Sequence, residues 1–188
     1  MPPSTTSFAP IRKAIGKFDR PALIALIAEL HALNQQNRDF LATRFVSTSA
    51  GLDKYKKIIR RALYQNIPHE NGRISFRDAR TAISTYRKST GDTAGLAELL
   101  VYAAECATRY TAEYGDIDGP FYDSLERMYA AAVKTVSTLD QQTAAPFIDR
   151  LRAMMNKTEN FGWGLHDFMG GEFHGTFGDD CPRQHLCP

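Results

Sequence analysis

An all-α fold is what this sequence predicts, as an irregular bundle or a short stack of antiparallel helical hairpins with about seven to eight helices. Apolar residues recur at three-and-four spacing almost throughout, and no run of alternating β-branched residues is long enough for a strand. Successive helical patterns also follow one another across short turns, without the fixed-period repeat of a regular solenoid.

Residues 1–18 are expected to be a flexible lead-in. Asp19 followed by Pro21 makes a good helix start: the carboxylate accepts from free first-turn N–H groups, and proline fits there without losing a bond. Leu23, Ile24, Ile27, Leu30 and Leu33 then recur on one face, to about Asn34. A second helix, about 35–45, places Phe40, Leu41 and Phe45 inward, and 46–51 reads as a linker. Over 52–64, Leu52, Tyr55, Ile58, Ile59, Ala62 and Leu63 take one side, while Lys54, Lys56, Lys57, Arg60 and Arg61 take the other. Turn formers occupy 65–73. Ser75 with Asp78 resembles a capping box and opens a helix over 76–89. Its inner face is Phe76, Ala79, Ile83 and Tyr86, and Arg77, Arg80, Arg87 and Lys88 gather on an adjacent outer face.

Gly91 is expected to stop that helix with a positive φ, and Asp92 to cap the next, which runs to Tyr114. Leu96, Leu99, Leu100, Ala103, Ala107, Tyr110 and Tyr114 form its core side, opposite Glu98, Glu105, Arg109 and Glu113. A helix over about 120–138 buries Phe121, Leu125, Met128, Ala132 and Val136; another over about 142–157 uses Phe147, Ile148, Leu151 and Met154. A last short helix begins within 162–169, and 171–188, rich in Gly, Pro and polar residues, is expected to be a flexible tail. The domain expectation is one helical domain over 19–170.

An apolar fraction of 43% and a charged fraction of 23% are those of a folded globular chain rather than a disordered one. The densest apolar run, 23–30, contains Glu29 and falls far short of the roughly 20 residues that span a bilayer, so no membrane association is expected. The first eighteen residues lack an apolar core followed by a small-residue cleavage site, which predicts a cytoplasmic location. Three cysteines, with Cys106 in a helical pattern and Cys181 and Cys187 near the C-terminus, predict no disulfide framework.

The net charge of +2 conceals a polarity. Residues 1–90 carry 16 Lys/Arg against 6 Asp/Glu and residues 91–188 carry 7 against 15, which is +10 and −8. Either the halves attract across an internal interface, or each shows its face to a partner.

Taken in order, KYKKIIRRALY, ARTAISTYRKSTGDTAGLAELLVYAAE, EYGDIDGPFYDSLERMY and GWGLHDFM resemble a bacterial family, domain of unknown function 6155, over roughly residues 20–170. In that family a Pro usually follows the Gly-Asp, where this chain has Thr93; the difference touches only a helix start. The resemblance implies a compact, mostly helical intracellular protein and brings no activity, substrate or catalytic residue.

Four places are candidates for function. The acidic turn offers Glu113, Asp116, Asp118 and Asp123 as oxygen ligands for Mg²⁺ or Ca²⁺. The calcium-loop template fails, because counting from Asp116 puts Phe121 where Gly is required and Arg127 where a bidentate Glu is required. Helix ends explain the same residues: Gly115 as a stop, Asp118 or Gly119 as a cap, Pro120 in the first turn, Asp123 at the positive end of the dipole. The second place is His166, beside Asp167 and Trp163. Adjacent helical side chains point about 100° apart, so His166 needs Asp116, Asp118 or another partner from elsewhere to make a metal or acid–base site. Trp163 reads either as an aromatic wall or as a buried anchor of the last helix. In the tail, Cys181, His185 and Cys187 have zinc-capable atoms, but their spacing fits no familiar zinc module.

The basic faces are the fourth place and the strongest. Lys54, Lys56, Lys57, Arg60, Arg61, Arg77, Arg80, Arg87 and Lys88 lie on consecutive helices that, packed as a hairpin, would merge into one cationic surface. No Walker loop, dinucleotide turn, nucleophile elbow or HExxH motif is present, so no residue is assigned as catalytic and no cofactor is expected. The functional expectation is a non-enzymatic module acting through a protein partner or self-association, its charged halves setting orientation. Nucleic-acid binding by the basic faces of 52–64 and 76–89 is the alternative, and a metal-dependent enzyme using 113–118 with His166 is the third reading.

Overall fold

The computed structural model describes residues 7–45, 49–64 and 74–178, and these form nine α-helices with no strand. The chain divides into two units, Met1–Ser47 and Thr48–Pro188.

The first unit holds α1 (Phe8–Ile15), α2 (Arg20–Leu33) and α3 (Gln35–Phe45). Helix α1 lies where the sequence predicts a flexible lead-in; Ser7 Oγ accepts from the Ala9 N–H at 3.4 Å, and Pro10 is tolerated in a first turn. Asp19 caps α2, accepting from the Ala22 N–H at 2.9 Å, and α2 and α3 fall where the spacing predicts. Asn34 Oδ1 accepts from the Asn37 N–H at 2.7 Å, and Asn37 Nδ2 donates to the Leu30 carbonyl at 2.8 Å, which sets the joint between them. The inward faces are not realised. Ile24, Ile27, Leu30 and Leu33 are exposed, as are Phe40 and Phe45, and neither α1 nor α2 has a buried residue. Periodicity specifies a helix, but burial needs a facing layer, and three short helices do not supply one.

The second unit holds α4 (Ser49–Leu63), α5 (Phe76–Ser89), α6 (Thr93–Tyr114), α7 (Gly119–Val136), α8 (Gln141–Lys157) and α9 (Leu165–Phe177). Of the expected linker 46–51, the last three residues belong to α4; 46–48 and the turn 65–73 lie outside the described residues. Helix α6 is the hub and packs on α4, α5, α7 and α8. Ala97, Ala103, Ala104 and Ala107, all fully buried, let those neighbours approach. Every residue expected to be buried on α7 is buried, and α9 packs on α7 and α8.

Gly91 does not adopt a positive φ; α5 ends at Thr90, whose extended backbone leaves the helix while its N–H and hydroxyl both bond to the Tyr86 carbonyl, at 2.9 and 3.1 Å. The α5–α6 joint is closed from the side chains. Tyr86 Oη donates to Asp92 Oδ2 at 2.7 Å, and Asp92 Oδ1 accepts from the Gly95 N–H at 2.8 Å. A Cβ on Gly95 would lie 2.0 Å from Tyr86 Oη, so only glycine admits the phenol. Ile58 and Tyr114, expected inside, are 41% and 40% exposed, because they lie at the margins of their faces. The last helix continues through residues 171–177 of the expected tail. Leu165, Met169 and Phe173 supply buried anchors at four-residue spacing, and Gly178, with φ 76°, stops it.

Candidate functional site

A groove of about 780 Å³ runs between α5, α6 and α7. Its floor is apolar: Ile83, Leu100 and Met128 are buried, and Leu96 and Ala131 half-buried. Its edges carry Arg80 and Arg87 from α5 and Arg127 and Lys134 from α7, all exposed. No carboxylate lines it. Among the described residues Arg127 forms an ion pair only with the exposed Asp123, at 4.0 Å, a contact of little energetic weight, and also feels the neighbouring Glu126, while Arg80, Arg87 and Lys134 form no ion pair.

The nine basic residues of α4 and α5 do not all serve one surface. On α4, Lys56 turns to α6, pairing with Glu98 at 2.7 Å and lying 5.4 Å over the Tyr102 ring. Arg60 lies 6.0 Å over the Tyr64 ring and lines a recess between α4, α6 and α8. Arg80 and Arg87 line the α5–α7 groove, and Arg77 with Arg80 lines a smaller hollow beside Asp118 and Pro120. Lys54, Lys57, Arg61 and Lys88 are exposed along their helices. The reason is the hub: α4 and α5 both pack on α6, and each turns part of its basic face toward a different neighbour of α6.

Glu98 and Glu105, expected on the solvent side of α6, bind Arg150 of α8 instead. Arg150 donates to Glu98 and, through Nε and Nη2, to Glu105 at 2.8 and 2.7 Å. Burial alone would push the Glu98 carboxyl up; hydrogen bonds from Arg150 and Lys56 reverse this and hold it below its ordinary value.

At the acidic turn, Gly115 (φ 85°) stops α6, and Asp118 Oδ1 caps α7 by accepting from the Phe121 N–H at 2.9 Å. Asp116 takes a different partner. The Trp163 indole N–H donates to its two oxygens at 3.0 and 3.2 Å, and the indole stacks on Tyr122 with centroids 6.0 Å apart. Trp163 is 59% exposed, so it fastens the α8–α9 connection from outside rather than as a buried anchor. Its φ of 64° is an uncommon left-handed conformation that these contacts support. The acidic turn and the segment of His166 do meet, but through Trp163. His166 Nδ1 lies 3.1 Å from the Met155 carbonyl and 3.5 Å from Thr158 Oγ1. Asp116, Asp118 and His166 thus have three separate engagements, and among the described residues no three His, Cys, Asp or Glu side chains group as a metal ion would need. Cys181, His185 and Cys187 lie outside the described residues. Cys106 is buried and its thiol is pushed up to about 11 by that burial, so it is protonated at neutral pH.

Sequence reading missed Arg127 and Lys134, which sit in the acidic half of the chain, where the net charge of −8 masks them. Their spacing of seven residues, the same as that of Arg80 and Arg87, was the available signal. No described helix is long and apolar enough to cross a membrane. Compared with protein-family models, with curated proteins and with solved structures, the chain has no match in any of the three.

Proposed function

We propose that this chain is a non-enzymatic protein-interaction module whose α5–α6–α7 groove receives an acidic amphipathic helix from a partner protein. The supporting observation is the pairing of cations: Arg80 with Arg87 on one edge and Arg127 with Lys134 on the other, each pair seven residues apart, over a floor of Ile83, Leu96, Leu100 and Met128. Seven residues are two helical turns, about 10 Å of rise. A helix laid in the groove would present an apolar seam to the floor, with Glu or Asp recurring every seven residues on both flanks. The wall formed by α7 and the turn that follows it runs from Ser124 to Thr138, about 20 Å, which accommodates roughly four turns of such a helix.

The charge polarity of the chain enters differently from what the halves suggest, since each half contributes one cationic edge. On this reading the protein works in the cytoplasm and belongs with the helical bacterial family that its motifs resemble, as an irregular bundle of hairpins. Phosphate recognition favours cations without an apolar floor, so nucleic acid is the weaker occupant.

Fluorescence anisotropy separates the two, with a labelled four-turn acidic amphipathic peptide, a scrambled peptide of equal charge, a DNA duplex and an RNA hairpin. The patterned peptide is expected to bind saturably and more tightly than the scrambled one. Salt-sensitive binding of nucleic acid with no preference for the patterned peptide would overturn the proposal and favour the alternative.

A further inference from the structure

A second recess, about 540 Å³, lies between α4, α6 and α8, and one of its lining residues is anomalous. Thr108 is 3% exposed, yet its hydroxyl is the only buried side-chain polar atom among the described residues with no hydrogen-bond partner. The helical threonines Thr81, Thr85 and Thr135 all return their hydroxyl to the carbonyl four residues back, at 2.8 to 2.9 Å. Thr108 does not, and a buried hydroxyl left unpaired is destabilising unless something enters to meet it.

The charges around it say what would enter. Four cations line the recess, and two are already matched: Arg150 by Glu98 and Glu105, and Arg109 by Glu113 at 2.9 Å. Arg60 and Lys157 meet no carboxylate among the described residues. The guanidiniums of Arg60 and Arg109 both lie over the Tyr64 ring, 6.0 and 5.0 Å from its centre, and stacking of this kind holds a guanidinium while leaving its edge free to bond.

We propose that this recess binds a small dianion, a phosphate monoester or a dicarboxylate, with Arg60 and Lys157 balancing its charge and the Thr108 hydroxyl bonding to one of its oxygens. Guanidinium forks suit both headgroups, which is why the two share a site chemistry. The inference is independent of the α5–α7 groove, with which this recess shares no residue.

Isothermal titration of the full chain with inorganic phosphate, glycerol phosphate and succinate, at constant ionic strength, tests it. At least one of these is expected to bind saturably while chloride does not, and the comparison of phosphates with succinate assigns the headgroup. Lys157→Ala and Arg60→Ala, at exposed positions, are each expected to weaken binding about tenfold. Thr108→Val is expected to weaken it several-fold while raising the melting temperature of the unliganded protein. Absence of saturable binding by any of the three, or affinity unchanged in both Lys157→Ala and Arg60→Ala, would overturn the proposal.

Discussion

The indole N–H of Trp163 donates to the carboxylate of Asp116, 47 positions earlier in the chain, at 3.0 Å. That bond turns an acidic turn resembling a ligand loop into a fastening point. Gly119 leaves room for it, since a Cβ there would lie 3.2 Å from the indole. Below the ring, Tyr122 shares a hydrogen bond of 2.8 Å with Thr111, whose hydroxyl reaches the Gly115 carbonyl at 3.0 Å. The end of α6, the start of α7 and the α8–α9 connection are tied together in this way.

The fastening is directly observable, because Trp163 is the only tryptophan in the chain. Asp116→Ala is expected to shift its emission to longer wavelength, increase quenching by acrylamide and lower stability by about 1 kcal/mol. An unchanged emission spectrum would contradict the contact.

Gly95→Ala tests the α5–α6 joint. In an exposed helix this change stabilises by roughly 0.8 kcal/mol, since alanine is the better helix former. Here the new Cβ meets Tyr86 Oη and Asp92 Oδ2, at 2.0 and 2.3 Å, so a loss of about 2 kcal/mol by chemical denaturation is expected instead. Stabilisation would show that the phenol does not sit there.

The Glu98 carboxyl is held below its ordinary value of 4.5 in the folded chain, against the opposing effect of burial, by Arg150 and Lys56. A depressed folded value adds stability that is complete above the unfolded value and is lost as pH falls through the folded one. Melting temperature should therefore fall as the medium is acidified below 4.5, and Glu98→Gln should be less stable at neutral pH yet show a shallower acid decline. Arg150→Ala removes the guanidinium that both carboxylates accept from, while Glu98 keeps Lys56, and should cost about 2 kcal/mol. A Glu98→Gln curve parallel to the parent's at every pH would contradict this account.

Much of the fold was legible because its determinants are local. Asp19, Ser75, Asp92 and Asp118 each accept from the N–H three residues on, which the cap residue alone predicts. The alternating faces of α5 and α7 follow from spacing and are buried as expected. What failed needed information about neighbours. The apolar face of α2 is as regular as that of α7, but nothing in its own spacing says whether a facing layer exists. Helix α9 continues through Gly171 and Gly175, inside the Gly-rich stretch expected to be a flexible tail, because Phe173 between them is buried. For the candidate site, Arg80 and Arg87 were visible as a cationic face, whereas Arg127 and Lys134 join them only when α7 packs on α6. The contact of Asp116 with Trp163 is invisible for the same reason.

A charge exchange across the α5–α7 groove tests the central claim most directly. The chain with Arg80→Glu, Arg87→Glu, Arg127→Glu and Lys134→Glu, both cations of each edge reversed, is titrated with two amphipathic peptides of identical apolar seam, one flanked by Glu and the other by Lys. The docking account predicts that the parent chain prefers the Glu peptide by at least about tenfold and that the altered chain reverses the preference. If both chains bind the two peptides equally, or the altered chain keeps its affinity for the Glu peptide, the groove is not the docking surface.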